Sequence, residues 1–316
     1  MRVYEIPEGS KTAKGRALQN LINIESDDKV KAFICTQDLK DKEYTNSHNL
    51  IMVTKKGQVK KTSLDKYSKP RVNGVAAITI KDGDELLGAQ LTNGESQIIL
   101  AVKSGKLVRF EETKTRPMGR TASGVRGITL KDETDEVIGM VTVDKNDIND
   151  SQILVVTENG YGKRTKLVDD DGEDVYRITN RGGKGVKTLN ITEKTGKLIS
   201  ISAVTDADDL MIINKSGLTI RMAIEDLRVM GRATQGVKLI NLKGNDSIAA
   251  VTKVMKDDVE EVLIDEDGNV IEVEAIERVK PVLEVLEDDG SVEDDEDDED
   301  EVIEEDDAED DSENDD

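Results

Sequence analysis

The sequence repeats itself about every fifty residues, and this period limits the folds that are open to the chain. A glycine followed by an alternating apolar segment, as in GVAAITI at 74–80 and GVRGITL at 124–130, returns along the sequence. These landmark glycines are Gly15, Gly74, Gly124, Gly185 and Gly236, which lie 59, 50, 61 and 51 residues apart. Self-similarity at this period is typical of solenoids and propellers.

Strand-like segments follow each landmark glycine. A second strand leads to a short apolar run, such as IILAV at 98–102 or ILVV at 153–156. A turn ending in glycine and a polar strand such as QVKKT at 58–62 complete the unit. Short β-branched runs favour buried strands, and glycine supplies the positive φ of a hairpin turn. Four short antiparallel strands per unit predict the blades of a propeller.

We therefore predict an all-β, six-bladed, propeller-like fold with a truncated first blade, a degraded last blade and a disordered acidic C-terminal tail. Residues 1–14 are the predicted remnant of the first blade, and residues 281–316 are the predicted tail. The five blades between them are predicted at 15–73, 74–123, 124–184, 185–235 and 236–280. The only helix expected is about one turn at 223–227.

Charge is distributed very unevenly along the chain. The net charge is −24, but residues 282–316 hold 23 acidic residues and no Lys or Arg. Residues 1–254 hold 41 basic and 35 acidic residues, a balance of +6. Such a polyanionic segment cannot bury enough apolar surface to fold alone. It acts either as a solubility tail or as a mimic of a polyphosphate that competes for a basic surface.

Other classes of protein are disfavoured by what the sequence lacks. No run of about 18 apolar residues is present, so no membrane span or membrane partner is expected. Cys35 is the only cysteine and His48 the only histidine, which disfavours disulfides and clustered metal ligands and fits a cytoplasmic protein. The sequence has neither a nucleotide-binding GxxxxGK[ST] loop nor an HExxH motif. We predict no cofactor for this chain.

Basic residues recur at fixed positions of the repeat. One column, four residues after each hairpin glycine, contains Lys61, Arg109, Arg164 and Arg221, with Glu272 in the last unit and with Lys60 and Lys163 one position earlier. A second column, four residues before the landmark glycines, contains Lys11, Arg120, Arg181 and Arg232. A third, partial column contains Arg126, Lys187 and Lys238. Equivalent positions of successive blades share one rim or wall, which suits the phosphates of a curved duplex.

The segment RGGKG at 181–185 is the most distinctive local motif. Gly182 and Gly183 allow close backbone approach and could offer N–H groups to a phosphate, and Arg181 and Lys184 flank them. A flexible loop without a binding role would also explain these residues. The predicted DNA contacts are Lys60, Lys61, Arg109, Arg120, Lys163, Arg164, Arg181, Gly182, Gly183, Lys184, Arg221 and Arg232, and no catalytic or metal-binding residue is predicted.

Several segments resemble the C-terminal domain of the A subunit of bacterial DNA gyrase, a six-bladed β-pinwheel. They are NGYGKRT at 159–165, MGRTASGVRGI at 118–128 and VMGRATQGV at 229–237. The resemblance implies wrapping of double-stranded DNA around a basic perimeter, which serves negative supercoiling and is tuned by the acidic tail. The implied protein partners are the catalytic core of gyrase A and the whole of gyrase B. The resemblance also implies that the complete enzyme uses ATP and Mg²⁺ and associates with the nucleoid, whereas this chain alone is not an enzyme.

The sequence departs from this family in one motif. The family's Q-R-R-G-G-K-G box belongs to its first blade, whereas only Arg181–Gly185 match its core here, in a later blade. Two alternatives remain open at this point. One is the C-terminal domain of the A subunit of topoisomerase IV, against which the tail and the RGGKG segment argue. The other is a propeller that binds proteins.

Overall fold

The computed structural model describes residues 3–10, 13–22, 24, 28–71, 73–244, 246–255, 263–264 and 270–271. Within these ranges the chain forms strands and short helices, which confirms the predicted all-β class. Among the described residues the one α-helix, α1, is Lys42–Ser47, and the 3₁₀ helices are Val3–Glu5, Leu18–Asn20, Leu64–Tyr67, Glu112–Lys114, Lys145–Asp147 and Ile224–Asp226. The last lies within the helical turn predicted at 223–227, whereas α1 contradicts the expectation that this turn would be the only helix. The predicted tail, Lys11, Glu272 and much of the predicted last blade lie outside the described residues.

The strands are β1 Asn49–Thr54, β2 Gln58–Ser63, β3 Leu86–Thr92, β4 Gln97–Val102, β5 Lys106–Glu111, β6 Val125–Arg126, β7 Val137–Val143, β8 Gln152–Thr157, β9 Tyr161–Lys166, β10 Val186–Lys187, β11 Leu198–Val204, β12 Asp208–Asn214, β13 Thr219–Ala223, β14 Val237–Lys238, β15 Ile248–Met255, β16 Leu263–Ile264 and β17 Val270–Ile271. They form blade 1 (β3-β1-β2-β6), blade 2 (β7-β4-β5-β10), blade 3 (β11-β8-β9-β14) and blade 4 (β15-β12-β13). Strands β16 and β17 pair as a separate hairpin.

Each complete blade combines strands from three sequence units. In blade 2, the hairpin β4–β5 belongs to the unit 74–123, β7 to the unit 124–184 and β10 to the unit 185–235. The predicted bounds of the blades therefore do not coincide with the sheets. The repeat gives the spacing of equivalent strands, but pairing depends on which edges meet in space. This exchange ties neighbouring blades together through backbone hydrogen bonds.

The apolar runs are buried between blades, as predicted. Every residue of β4 and β8 is buried. One apolar cluster joins residues of the β1–β2 and β4–β5 hairpins, including Ile51, Val59 and Leu100. Two further clusters join blade 2 to blade 3 and blade 3 to blade 4. The core is thus a series of layers between sheets, because one blade alone cannot cover both of its faces.

The sheets have an inner and an outer edge. Strands β3, β7, β11 and β15 pack side by side and line a cavity of about 590 Å³, together with Phe33, Ile34 and Cys35. The two-residue strands β6, β10 and β14 occupy the opposite edge of their sheets. The landmark segments after Gly124, Gly185 and Gly236 therefore lie at the outer perimeter of the propeller.

The landmark glycines are required where these outer strands begin. Gly185 has φ +75°, and a Cβ there would lie 2.5 Å from the carbonyl oxygen of Leu107 on β5. Gly124 has φ +93°, and its Cβ would lie 2.7 Å from the carbonyl oxygen of Val59 on β2. Both the positive φ and the close approach exclude a side chain. The glycine signal of the repeat thus marks where the perimeter strand joins its sheet.

Candidate nucleic-acid interface

Lys61, Arg109 and Arg164 of the first basic column lie between the blades and not on the outer wall. Lys61 of β2 is 6% exposed, and its Nζ lies 2.9 Å from Oε1 of Glu112, whose side chain is 0% exposed. Glu112 follows β5, so this ion pair joins blade 1 to blade 2. The same carboxylate accepts hydrogen bonds from Asn49, Thr92 and the backbone N–H groups of Gly94 and Ser96.

Arg109 of β5 repeats this arrangement one blade further on. Its side chain is buried and donates to the side chains of Gln97 and Asp174, at 2.7 and 2.8 Å. It also donates to the carbonyl oxygens of Leu167 and Tyr176, beyond β9 in blade 3. The pKa of Arg109 is lowered by its burial, and the nearby carboxylate of Asp174 offsets only part of this effect. The guanidinium therefore joins blade 2 to blade 3.

Arg164 and Arg221 complete the column. Arg164 of β9 is 7% exposed, pairs with Asp206 and donates to the carbonyl oxygens of Glu225 and Leu227, which flank blade 4. Arg221 pairs with Asp209 of the adjacent strand in its own blade, at 2.7 Å. The prediction of solvent-facing contacts is thus wrong in geometry for Lys61, Arg109 and Arg164. At this position of the strand the side chain faces the next blade, whose carbonyl and carboxylate oxygens require a cation.

Lys60 and Lys163 are also buried, but they bond to loops at the perimeter. Both are 0% exposed. Nζ of Lys60 donates to the carbonyl oxygens of Ala77 and Arg120, and Nζ of Lys163 donates to those of Gly231 and Arg232. Burial, followed by the charge of Arg120, lowers the pKa of Lys60 to about 8. Neither ammonium is exposed to a ligand, so the predicted direct contact does not fit their position.

A continuous band of backbone follows the perimeter. We call it the belt and define it as residues 74–80, 118–130, 180–191 and 231–242. Hydrogen bonds join each segment to the next, from the N–H of Thr79 to the carbonyl of Ala122, from Thr129 to Gly183 and from Asn190 to Thr234, at 3.3, 2.9 and 3.2 Å. The belt therefore crosses from blade to blade without interruption over these segments.

The belt carries charge of one sign. Its four segments contain seven Lys or Arg residues and no Asp or Glu. The side chains of Arg126, Lys184 and Arg232 are exposed, and those of Arg120, Arg181, Lys187 and Lys238 are half-buried. The second and third columns of the sequence are thus brought together on one surface. Of the predicted contacts, Arg120, Arg181, Lys184 and Arg232 belong to this surface.

The RGGKG segment is an ordered part of the belt. The Gly182 N–H donates to the carbonyl of Gly127 at 2.8 Å, and the carbonyl of Gly183 accepts from Thr129. Arg181 donates from Nε to the carbonyl of Lys114 at 3.2 Å, whereas Lys184 is exposed. The predicted phosphate contact from the N–H of Gly182 does not fit, because this donor already has a backbone acceptor.

A row of arginines was missed by the sequence analysis. Arg116, Arg177 and Arg228 lie four residues before Arg120, Arg181 and Arg232, and all three are exposed. The signal was present in the repeat, because these arginines stand eight residues before Gly124, Gly185 and Gly236. Together the two rows place a pair of arginines at the edge of each of three successive blades.

The described part of the chain offers neither a membrane span nor a metal cage. No helix among those residues is long and apolar enough to cross a membrane. No group of three or more His, Cys, Asp or Glu side chains among them is arranged to hold a metal ion.

The fold and the belt define a β-propeller module with a basic perimeter, and comparison with known proteins gives its family. The family described as DNA gyrase C-terminal domain, beta-propeller, matches residues 1–37, 48–93, 97–144, 151–205 and 208–255. The chain belongs to this family.

Two relatives are the A subunits of DNA gyrase from Staphylococcus aureus strains MRSA252 and NCTC 8325 / PS 47. Both are 41% identical, over 272 and 268 residues, or 86% and 85% of this chain. The chain spans 29% of the length of each.

Solved structures agree on the fold. The C-terminal domain of DNA topoisomerase IV superposes with a TM-score of 0.70 at 24% identity, covering 80% of this chain and 75% of that one. The DNA gyrase A C-terminal domain gives 0.63 at 24% identity, covering 77% and 76%.

Proposed function

We propose that this chain binds double-stranded DNA along the belt without reading its sequence, and that it wraps the duplex as part of a gyrase. The observation that supports this most directly is the charge of the belt, with seven cations and no acidic residue. A run of cations that passes from blade to blade suits a duplex bent over the perimeter. Phosphate contacts of this kind give affinity without sequence specificity.

The contact set that we propose differs from the one predicted from sequence. It keeps Arg120, Arg181, Lys184 and Arg232, and adds Arg126, Lys187 and Lys238 from the outer strands. The exposed row of Arg116, Arg177 and Arg228 borders it. Lys60, Lys61, Arg109, Lys163, Arg164 and Arg221 are assigned to the interior of the propeller, and Gly182 and Gly183 to the backbone of the belt.

The number of cations sets an expected dependence on salt. Each neutralised phosphate contributes about −0.9 to the slope of log K against log salt concentration, so seven contacts give a slope of about −6. Between 50 and 200 mM salt, affinity should then fall by roughly 10⁴-fold. Bending the duplex costs several kcal/mol, which many separate phosphate contacts can offset.

The proposed biological setting follows from the family. In a longer gyrase A polypeptide, a wrapped segment would be presented to the catalytic core and to gyrase B for ATP- and Mg²⁺-dependent negative supercoiling. The identity to the A subunits of DNA gyrase favours this setting over topoisomerase IV. The acidic segment 282–316, with 23 negative charges, would compete with DNA for the belt.

The test combines a charge-matched pair of variants with a topological readout. The triple variant Arg120→Ala/Arg181→Ala/Arg232→Ala should make the slope of log K against log salt concentration shallower by about 2.7. The control removes three exposed lysines outside the belt, Lys42, Lys145 and Lys194, and should leave the slope nearly unchanged.

Nicked circular plasmid ligated in the presence of the chain should show a shifted linking number, which the belt variant reduces and the control retains. Equal slopes for the two triple variants, or no shift with the unaltered chain, would contradict the proposal. The second result would favour a propeller that binds proteins.

A further inference from the structure

Lys60 and Lys163 occupy the same place in alternate blades. Each lies three residues after the hairpin glycine, in β2 of blade 1 and β9 of blade 3. Each has no solvent exposure and directs its ammonium to loop carbonyls that include the carbonyl of a belt arginine, Arg120 or Arg232. Lys163 also reaches Oγ1 of Thr234 at 3.1 Å.

These lysines accompany one type of loop. The loops at 118–120 and 230–232 both read Met-Gly-Arg. Blade 2 has Val108 at the equivalent strand position, and its loop is the RGGKG segment. That loop is held by Thr129, whose N–H and Oγ1 donate to the carbonyls of Gly183 and Gly182. Thr79 supports the loop after Met118 in the same way, through the carbonyls of Ala122 and Thr121, so the ammonium of Lys60 is an additional support for that loop.

The internal backbone hydrogen bonds of the loops with a lysine are long, and in the second loop Oγ1 of Thr234 also donates to the carbonyl of Gly231 at 3.0 Å. The hydrogen bond from the N–H of Ala122 to the carbonyl of Gly119 is 3.3 Å long, and the equivalent bond from Thr234 to Gly231 is 3.5 Å. Burying an ammonium is costly unless it is hydrogen-bonded, and here its partners include the carbonyl of Arg120 in one loop and those of Gly231 and Arg232 in the other. The cation thus holds together backbone dipoles that would otherwise repel each other.

We propose that Lys60 and Lys163 are positioning residues, each of which fixes the loop of one belt arginine so that its guanidinium meets a phosphate. This inference rests on the proposed DNA binding. Lys60 acts through Arg120 and Lys163 through Arg232, and neither lysine touches DNA. The loss of one phosphate contact corresponds to about an eightfold loss of affinity at 0.1 M salt, because each contact contributes about 0.9 to the slope.

The experiment is a double-mutant cycle with a second blade as its control. Lys60→Val introduces the type of residue that blade 2 carries at this position, and circular dichroism checks that the variant is folded. Binding of a fluorescent linear duplex to the full chain is measured against salt for Lys60→Val, Arg120→Ala, Arg232→Ala and both combinations with Lys60→Val.

We expect Lys60→Val and Arg120→Ala to weaken binding to a similar extent, up to about eightfold at 0.1 M salt, with slopes shallower by about 0.9. Adding Lys60→Val to Arg120→Ala should cause little further loss. Adding Lys60→Val to Arg232→Ala should weaken binding by the product of the two single fold-losses. The inference is overturned if Lys60→Val binds like the unaltered chain while Arg120→Ala does not, or if the effects of Lys60 and Arg120 multiply.

Amide hydrogen exchange without DNA separates this inference from the proposed function. Lys60→Val should accelerate exchange in residues 118–124 and leave residues 231–235 unchanged. Unchanged exchange in both loops refutes the positioning role. If both arginine variants bind DNA normally while exchange in 118–124 is faster, the DNA contact is refuted and the support of the loop by Lys60 stands.

Discussion

Replacing Glu112 with glutamine should cost a large part of the stability of the propeller. Both oxygens of this buried carboxylate act only as acceptors. Oε1 accepts from Lys61 at 2.9 Å and from two other side chains, and Oε2 accepts from two backbone N–H groups. An amide replaces one of these acceptors with a pair of donors. In either orientation of the amide, buried donors face each other.

The expected loss in the free energy of unfolding is about 3–5 kcal/mol, the usual cost of removing one partner from a buried ion pair. The whole free energy of unfolding of a typical domain is only about 5–15 kcal/mol. Urea unfolding followed by far-ultraviolet circular dichroism measures the change. The matched control is Glu111→Gln, because Glu111 is the exposed neighbour in sequence and should change stability by no more than about 0.5 kcal/mol.

The double variant Lys61→Met/Glu112→Gln tests whether the ion pair is the cause. Removing the cation relieves one of the mismatched donors, so the double variant should lose less stability than the sum of the two single changes. A loss below about 1 kcal/mol for Glu112→Gln, or strictly additive losses, would refute the assignment of this pair as a link between blades 1 and 2.

Two further predictions concern pH and the acidic segment. The pKa of Lys60 is about 8 in the folded chain and ordinarily 10.5, so the unfolded chain binds more protons between these values. The free energy of unfolding should therefore rise with pH relative to Lys60→Val, by at most about 1.4 kcal/mol per pH unit in that window, and parallel urea-denaturation profiles from pH 7 to 10.5 would contradict it. Deletion of residues 282–316 should tighten DNA binding most strongly at low salt, because it removes 23 negative charges; an unchanged affinity at matched salt would exclude competition by this segment.

Much of the fold could be predicted from the sequence because its signals are local and periodic. The buried run at 98–102 and the landmark glycines follow from β-branched residues and from steric limits on the backbone. Strand exchange could not be predicted in this way, because equivalent strands are alike and periodicity does not say which pair will meet. The unit 124–184 thus supplies strands to three different blades.

The basic columns show a second limit of the sequence. Arg109 and Arg120 both recur at fixed positions, yet one is buried between blades and the other lies on the belt. The acidic partners of the buried column do not help to predict its burial, because they occupy unrelated positions of the repeat. These partners are Glu112, Asp174 and Asp206. The remaining acceptors are backbone carbonyls, and the sequence cannot identify them because every residue has one. A column of cations is therefore compatible with either role until its acceptors are located.

The two sets of cations are connected through the backbone, and this connection links stability to binding. The carbonyls of Lys61, Arg109 and Arg164 accept hydrogen bonds from Met118, Thr179 and Met230, at 2.8, 2.9 and 2.9 Å. Each of these acceptor residues thus directs its side chain to the next blade and its carbonyl to the start of a belt segment or to the residue just before it. Buried ion pairs are screened by salt much less than exposed charges are. With the proposed binding along the belt, salt should consequently release DNA while the links between blades hold the loops in place, so that binding and release should not loosen the fold.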